Sequence, residues 1–258
     1  MKYLLISFLS FFTGSCNTDR VVVSNADKIL EYQILKRVPL YSEQKIALSK
    51  DIDVYLNHTR PIANQVIPIL DELKENNNYA QIEFQYHRLE HFYKDLAISF
   101  SALISKYLAR LDKKQQKEFI ENLEYENSRQ SRKNAKDHLH EAEERFIKFF
   151  GPIHEKQKII LISFQDHFNQ RALEKLNKKE KITNHIKEIY AEELSVWSTQ
   201  RAIYEEFKNF QNHQLSTKKN LEIIKRIYPT LSEVQKEYFR MRIQELKGLL
   251  NYFIQADF

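Results

Sequence analysis

Apolar residues recur at helical spacing along most of the chain after residue 27. The clearest stretch is 82–111, which carries apolar side chains in the order i, i+3, i+4 and i+7 at Leu89, Phe92, Tyr93, Leu96, Phe100, Leu103, Ile104, Tyr107 and Leu108. At about 100° per residue these positions fall within an arc of about 120°, which is typical of a helix that buries one face. No run of alternating apolar and polar residues is long enough to predict a strand. The pattern therefore predicts an all-α fold.

The same periodicity predicts nine helices, over residues 27–37, 42–57, 60–76, 79–110, 113–149, 155–177, 180–212, 216–228 and 232–254. Turn-forming residues separate several of them, most plainly Asn76-Asn77-Asn78, Gly151-Pro152 and Tyr228-Pro229. Thr59 is predicted to cap the third helix, and Pro68 to kink or break it, because proline has no amide donor. Short connections between long helices favour an elongated multi-helix bundle of antiparallel helices, expected to form a single domain over residues 27–258.

Composition narrows the classes of function. The chain has only 3 glycines, and they stand too far apart to form a phosphate-binding loop. Its formal net charge of +5 is too small to favour nucleic acid as a partner. Apolar residues make up 42% of the sequence, which is ample for a hydrophobic core. We expect that core to include the aromatic residues of one late stretch, Trp197, Tyr204, Phe207 and Phe210.

The first residues have the features of an export signal. Lys2 precedes an apolar run over residues 3–12, which is too short to span a bilayer as a helix. Small residues then lead into Cys16, the only cysteine of the chain. This resembles a bacterial lipobox, although Thr13 stands where leucine is usual. The resemblance predicts a signal peptide over 1–15, cleavage between Ser15 and Cys16, and acylation of the Cys16 thiol.

Acylation would tether the mature protein to a bilayer through a polar segment over residues 16–26, since several acyl chains together anchor stably. The alternatives are an ordinary signal peptide with an incidental cysteine, or an uncleaved anchor. Asn17, rather than aspartate, follows the cysteine. By analogy with bacterial sorting rules, this favours the periplasmic face of the outer membrane.

One pattern opens four of the predicted helices: an aliphatic residue, three further residues, and then glutamine. The copies are Leu40-Tyr41-Ser42-Glu43-Gln44, Leu111-Asp112-Lys113-Lys114-Gln115, Ile153-His154-Glu155-Lys156-Gln157 and Leu231-Ser232-Glu233-Val234-Gln235. The spacing is that of a capping box, in which the cap side chain and the glutamine each bond a free backbone amide. Asp112 and Ser232 are good caps, whereas Tyr41 and His154 are poor ones.

The lipobox and these helix starts occur in an order that resembles a bacterial family of helical, lipid-anchored proteins catalogued only as a domain of unknown function. In that family a Leu-Thr/Ser-x-x-Gln helix start recurs, and a middle helix ends at an aromatic-Gly-x-Leu turn, which corresponds here to Phe150-Gly151-Pro152-Ile153. A Trp-His-Arg run of the family is only partly kept, as His58-Thr59-Arg60. The resemblance covers most of the chain and implies no activity, cofactor or catalytic residue.

One segment matches a zinc-hydrolase motif. His87-Arg88-Leu89-Glu90-His91 fits the inverted pattern His-x-x-Glu-His, in which two histidines hold a metal and the glutamate acts as base. His87 and His91 point away from the predicted core stripe, which favours ordinary solvated histidines. No Gly-x-Ser-x-Gly elbow occurs, and the single cysteine is assigned to acylation. We therefore expect no enzymatic activity and no cofactor.

Basic residues form a stripe at helical spacing at Arg129, Arg132, Lys133 and Lys136, and a second lysine-rich stretch spans residues 175–187. Either could contact anionic lipid or an acidic envelope protein, or simply be a solvated helix face. The leading prediction is a lipid-anchored envelope protein with a non-catalytic binding or scaffolding role. The alternatives are a periplasmic metal-dependent hydrolase using His87, Glu90 and His91, and a carrier that holds a small apolar ligand inside its bundle.

Overall fold

The computed structural model describes residues 23–75, 78–131, 135–212 and 217–256, and within these ranges it contains helices and no strand. The predicted all-α multi-helix bundle is thereby confirmed. The helices are α1 (Ala26–Leu35), α2 (Ser42–Glu75), α3 (Tyr79–Leu108), α4 (Lys113–Ser131), α5 (Ala135–Phe150), α6 (Glu155–Ser163), α7 (Gln165–Ala191), α8 (Val196–Asn212), α9 (Thr217–Ile227) and α10 (Glu233–Gln255), with a 3₁₀ turn at Tyr228–Thr230.

The predicted break near Thr59 and Pro68 is wrong, because α2 runs through both prolines, Pro61 and Pro68, as one helix of 34 residues. Thr59 is no cap, and its hydroxyl donates to the Leu56 carbonyl at 2.8 Å. An internal proline costs roughly 3 kcal/mol. Here α2 packs against both α3 and α10, and this burial outweighs the local cost.

Other boundaries differ from the sequence pattern. The predicted helix over 113–149 is present as α4 and α5, and the intervening residues lie outside the described ranges. No break occurs near residue 178, where α7 is continuous. The turn lies instead between α7 and α8, where Glu193 has a φ of 49°. A positive φ is uncommon for a residue other than glycine, and it gives the chain a sharp reversal there.

Long helices pack side by side in antiparallel pairs, as predicted. Lys106 of α3 forms an ion pair with Asp51 near the start of α2. Lys247 of α10 pairs with Asp71 near the end of α2, at 2.6 Å. The Lys106–Asp51 pair joins the end of α3 to the start of α2, so these two helices are antiparallel. Along α2, Arg60 meets Ala256 and Lys74 meets the earlier Gln244 of α10, so α2 and α10 are antiparallel too.

The α4–α5 segment lies along α7 in the same antiparallel manner. The Asn127 amide donates to the Thr183 hydroxyl at 3.2 Å, and the Lys179 ammonium donates to Gln130 at 2.8 Å. Because later residues of α4 contact earlier residues of α7, the two helices run in opposite directions. Apolar side chains of α1, α2, α3, α7 and α8 fill the space between these pairs and form the largest core cluster, which includes the fully buried Ile34, Leu48, Ile52, Phe100, Ile186 and Ile203.

The four recurring glutamines pair with one another across the bundle in two sets. We call Gln44 with Gln115 the first clasp and Gln157 with Gln235 the second clasp. In the second clasp the two side-chain amides bond each other reciprocally, at 2.8 and 3.0 Å. In the first clasp Gln115 donates to Gln44 at 2.7 Å. The sequence shows four similar helix starts, and the fold joins them in pairs.

Each glutamine also donates to the backbone carbonyl five positions before its partner. Gln115 donates to Pro39 at 2.6 Å and Gln44 to Arg110 at 3.3 Å. The second clasp repeats the arrangement, with Gln235 donating to Pro152 at 2.7 Å and Gln157 to Thr230 at 3.2 Å. The same register in all four copies fixes the loop before each helix to the start of another helix.

The glutamine oxygens complete the helix starts locally. Gln115 and Gln235 accept from the backbone amides of Asp112 and Ser232, and those cap side chains accept in return. The two predicted capping boxes are thus confirmed. At the other two copies the glutamine half is kept, because Gln44 and Gln157 accept from the amides of Tyr41 and His154 at 2.9 Å.

Replacing Gln157 by leucine should destabilise the fold by about 3 kcal/mol, because it leaves the buried Gln235 amide and the Thr230 carbonyl without their partner. Gln157 is fully buried, so water cannot substitute. Urea unfolding followed by circular dichroism measures this loss. The double variant Gln157→Leu/Gln235→Leu should cost less than the sum of the two single changes, since the two side chains act as one unit.

The matched control is Gln170→Leu, which makes the same change at an exposed position of α7. Its effect should stay within about 0.5 kcal/mol. Equal losses at positions 157 and 170, or additive losses within the second clasp, would contradict the assigned role of the glutamine pair.

Candidate binding site

The histidines of the hydrolase motif lie on the outer surface of α3. The side chains of His87 and His91 are 54% and 74% exposed. Each faces a carboxylate on its own helix: His87 lies 3.8 Å from Glu90, and His91 lies 3.6 Å from Asp95. A catalytic zinc site needs three protein ligands. Within the part of the chain that the structure describes, no group of three or more His, Cys, Asp or Glu side chains is placed to hold a metal ion.

The predicted basic stripe is described only in part. Arg129 lies on α4 with its side chain exposed. Arg132 and Lys133 lie outside the described residues, and so does the side chain of Lys136. The stripe therefore stays a prediction, with Arg129 as its described member.

Part of the second lysine-rich stretch, residues 175–187 of α7, points its side chains towards the interior of the bundle. Lys175, Lys179 and Thr183 follow one another at intervals of four on α7, so they share a face with the buried Ile186 and Tyr190. Lys175 and Lys179 are half-buried rather than fully solvated. Four residues after Thr183 on the same side of α7, Lys187 extends to Glu124 of α4 as an ion pair.

Burial changes the ionisation of these lysines. It lowers the pKa of Lys175 to about 6, with further lowering by the nearby cations Lys179, Arg145 and Arg171 and an opposing effect of Glu141. Burial also lowers the pKa of Lys179, against the attraction of Glu126. Two lysine side chains thus lie within a wall of the bundle, where the low dielectric disfavours their charged forms.

Beside this wall lies a cavity of about 190 Å³, between α1, α3, α4, α7 and α8. Its lining is mostly apolar and includes Ile34, Phe100, Ile104, Phe119, Ile186 and Phe207. The polar lining residues are Arg37, Glu126, Asn127, Lys179 and Thr183. An apolar interior with a few convergent polar groups is the usual character of a small-molecule site.

The polar side of the cavity is held in place by internal bonds. Arg37 contacts both oxygens of Glu126, at 3.0 and 3.1 Å, and its backbone carbonyl accepts from Asn122 at 3.0 Å. The Thr183 hydroxyl, which accepts from Asn127, itself donates to the Lys179 carbonyl at 2.9 Å. Because Arg37 lies two residues before Pro39 of the first clasp, the clasp also fixes this side of the cavity.

The sequence pattern did not single out this site. Its residues come from five helices, and each polar member occurs among other charged residues along the chain. The one local signal is the spacing of Lys179, Thr183 and Ile186 on α7, which places a lysine on the face that also carries a core residue. The spacing alone does not predict a site, because it does not say whether this face of α7 points into the bundle or into solvent.

The expectation that Trp197 lies in the core is wrong. Its side chain is 68% exposed at the start of α8, next to Leu194 at 39% and Val196 at 50%. The Arg201 guanidinium lies 5.6 Å from the Trp197 ring centroid. Phe207 is buried as expected, whereas Tyr204 is only half-buried. The side chain of Phe210 lies outside the described residues.

Leu194, Val196 and Trp197 form what we call the α7–α8 patch. The turn that carries them is tied to the rest of the bundle: Glu193 pairs with Lys113 of α4 at 3.0 Å, and the Tyr190 hydroxyl donates to the Leu108 carbonyl at 3.1 Å. The patch therefore lies at the same end of the molecule as the first clasp.

Lys175 should make stability depend on pH. Because folding lowers its pKa from 10.5 to about 6, the unfolded chain binds more protons between these values, and the free energy of unfolding should rise with pH across this window. Lys175→Met should reduce that slope. Urea unfolding at several pH values from about 6 to 9 measures it, with Lys181→Met, at an exposed position of the same helix, as the control. An unchanged slope in Lys175→Met would contradict the assigned burial of this lysine.

The lipobox residues Ser15 and Cys16 lie outside the described residues. Among the described residues, no helix combines the length and the apolar character that a membrane crossing needs. No protein-family model, curated protein or solved structure matches this chain, so its resemblance to a family of helical lipoproteins stays a prediction.

Proposed function

We propose that this chain is a lipid-anchored protein of the bacterial cell envelope that binds or scaffolds another envelope component without catalysis. Acyl chains on Cys16 hold it at the membrane, on the periplasmic face of the outer membrane. The observation that carries the binding role is the α7–α8 patch, an exposed tryptophan beside two exposed aliphatic side chains.

Such a patch is costly unless it is covered. Exposed apolar surface is disfavoured by roughly 25 cal/mol for each Å² left in water. Tryptophan is also the residue type that most often supplies binding energy at protein interfaces. Trp197, Leu194 and Val196 thus have the composition of a contact site for a protein partner with an apolar surface of its own.

The patch is suited to binding because its backbone is fixed in advance. Ser195 caps the start of α8, with its hydroxyl accepting from the Ser198 amide at 3.3 Å. The Glu193–Lys113 ion pair adds a second contact between this turn and α4. A preorganised surface loses little conformational entropy when a partner docks, which favours affinity.

The ionisable side chains with strong mutual contacts outside the patch and the cavity connect helices to one another. Burial raises the pKa of Asp51, but hydrogen bonds from Lys106 and Tyr107 outweigh it and hold the pKa below its usual value. The three side chains join α2 to α3. This use of a shifted carboxylate supports a scaffold role better than acid–base chemistry.

The cavity favours a second candidate, a carrier of a small apolar ligand. Its lining is predominantly hydrophobic, and helices surround it on several sides. The two roles are compatible, because the cavity and the α7–α8 patch use different residues.

The anchor is tested by Cys16→Ala. We expect the variant to move from the membrane fraction to the soluble periplasmic fraction, since the acyl chains supply the membrane affinity. Cell fractionation followed by immunoblotting measures the shift, and mass spectrometry of the native protein identifies the acyl groups. Membrane association that is the same in both proteins would refute the lipid anchor.

The partner surface is tested by placing a photo-crosslinking amino acid at position 196 in living cells. We expect a discrete adduct that disappears when Trp197 is changed to serine in the same protein. The control position is Tyr125, which is 64% exposed on α4 and lies outside the patch. Equal adducts from positions 196 and 125, or an adduct that persists with Trp197→Ser, would contradict binding through the patch.

A further inference from the structure

We propose that the cavity binds a small carboxylate whose apolar part is one aromatic ring or a short alkyl chain, an inference that rests on the carrier role as the second candidate function. The evidence lies in the size of the cavity, its apolar lining and the charges along its polar side.

The volume of the cavity limits the size of the apolar part of the ligand. A dry, apolar cavity of about 150 Å³ admits one benzene ring. At about 190 Å³ this cavity holds a ring with a short substituent, and it is too small for a long acyl chain. Phe100, Phe119 and Phe207 among the lining residues supply aromatic surface against which such a ring can pack.

The charged side chains on the polar side of the cavity favour a ligand with an anionic head group. Two cationic side chains, Arg37 and Lys179, line the cavity against one anionic side chain, Glu126. The excess positive charge lies beside an apolar space, where an incoming carboxylate is attracted and an incoming ammonium is repelled. Burial already disfavours the charged form of Lys179, and a bound anion would offset that penalty.

Hydrogen-bonding groups next to Lys179 match a carboxylate. Asn127 and Thr183 are buried in the wall, at 9% and 4% exposure, and both line the cavity. A buried carboxylate needs donors around it, because its desolvation is otherwise very unfavourable. The Thr183 hydroxyl proton is used by the Lys179 carbonyl, so the donors for a ligand are the Lys179 ammonium and the second N–H of the Asn127 amide.

The test compares three molecules that share one ring and differ in the head group: phenylacetate, 2-phenylethanol and phenethylamine. Isothermal titration calorimetry uses the full chain in lipid nanodiscs, with empty nanodiscs as the blank. We expect phenylacetate to bind at least about tenfold more tightly than phenethylamine, which is the difference that one charge-assisted hydrogen bond makes. Absence of binding by all three, or phenethylamine binding as tightly as phenylacetate, would overturn the proposal.

Two variants place the binding in the cavity. Leu123→Phe fills space at a half-buried lining position and should abolish the phenylacetate signal. The same change at Leu89, a half-buried leucine of α3 outside this cavity, should leave it intact. Lys179→Met should weaken phenylacetate at least about tenfold and leave 2-phenylethanol unchanged, because only the carboxylate uses the charge. Equal effects of Leu123→Phe and Leu89→Phe would overturn the location.

Circular dichroism of each variant verifies that the helices are retained, and Lys179→Met keeps the test decisive if Leu123→Phe does not fold. The outcome is independent of the partner experiment, since the photo-crosslinking position lies in the α7–α8 patch and not in the cavity lining. Failure of ligand binding with a persistent adduct at position 196 would reject the ligand and keep the envelope-binding role.

Discussion

Two glutamine pairs fix where helix starts meet in this protein, joining the start of α2 to that of α4 and the start of α6 to that of α10. Apolar contacts between helices are non-directional, and they tolerate sliding of one helix along another. A buried amide that bonds both its partner and a loop carbonyl does not, since a shift of one residue would break several bonds in a place that water cannot reach. In the second clasp Gln157 and Gln235 satisfy each other and two carbonyls in this way.

The first clasp connects this constraint to the cavity and the exposed patch. Gln115 bonds the carbonyl of Pro39, which immediately follows Val38, a lining residue of the cavity. Arg37, one residue before Val38, pairs with Glu126 on the polar side of the cavity. The same end carries the α7–α8 patch, tied to α4 by Lys113 and Glu193. The first clasp, one side of the cavity and the α7–α8 patch thus lie at the same end of the molecule.

The inward lysines of α7 run against the general preference for apolar side chains inside a bundle. Lys175 and Lys179 occupy positions whose helical neighbours Ile186 and Tyr190 are buried, and burial lowers the pKa of both lysines. A leucine at either position would give a more favourable free energy of folding, because it has no charged group to desolvate. Lys179 lines the cavity, and in the proposed complex a bound carboxylate would offset the cost of burying it.

The sequence alone determined the features that depend on near neighbours. Helical periodicity established the all-α class, and the capping boxes at Asp112 and Ser232 follow from side chains three residues apart. Tertiary structure decided what depends on distant residues. Packing on both sides carried α2 through Pro61 and Pro68, and the bundle left Trp197 outside. Four similar glutamine helix starts carry no local information about which two will meet, because their pairing depends on how helices some 70 residues apart come together.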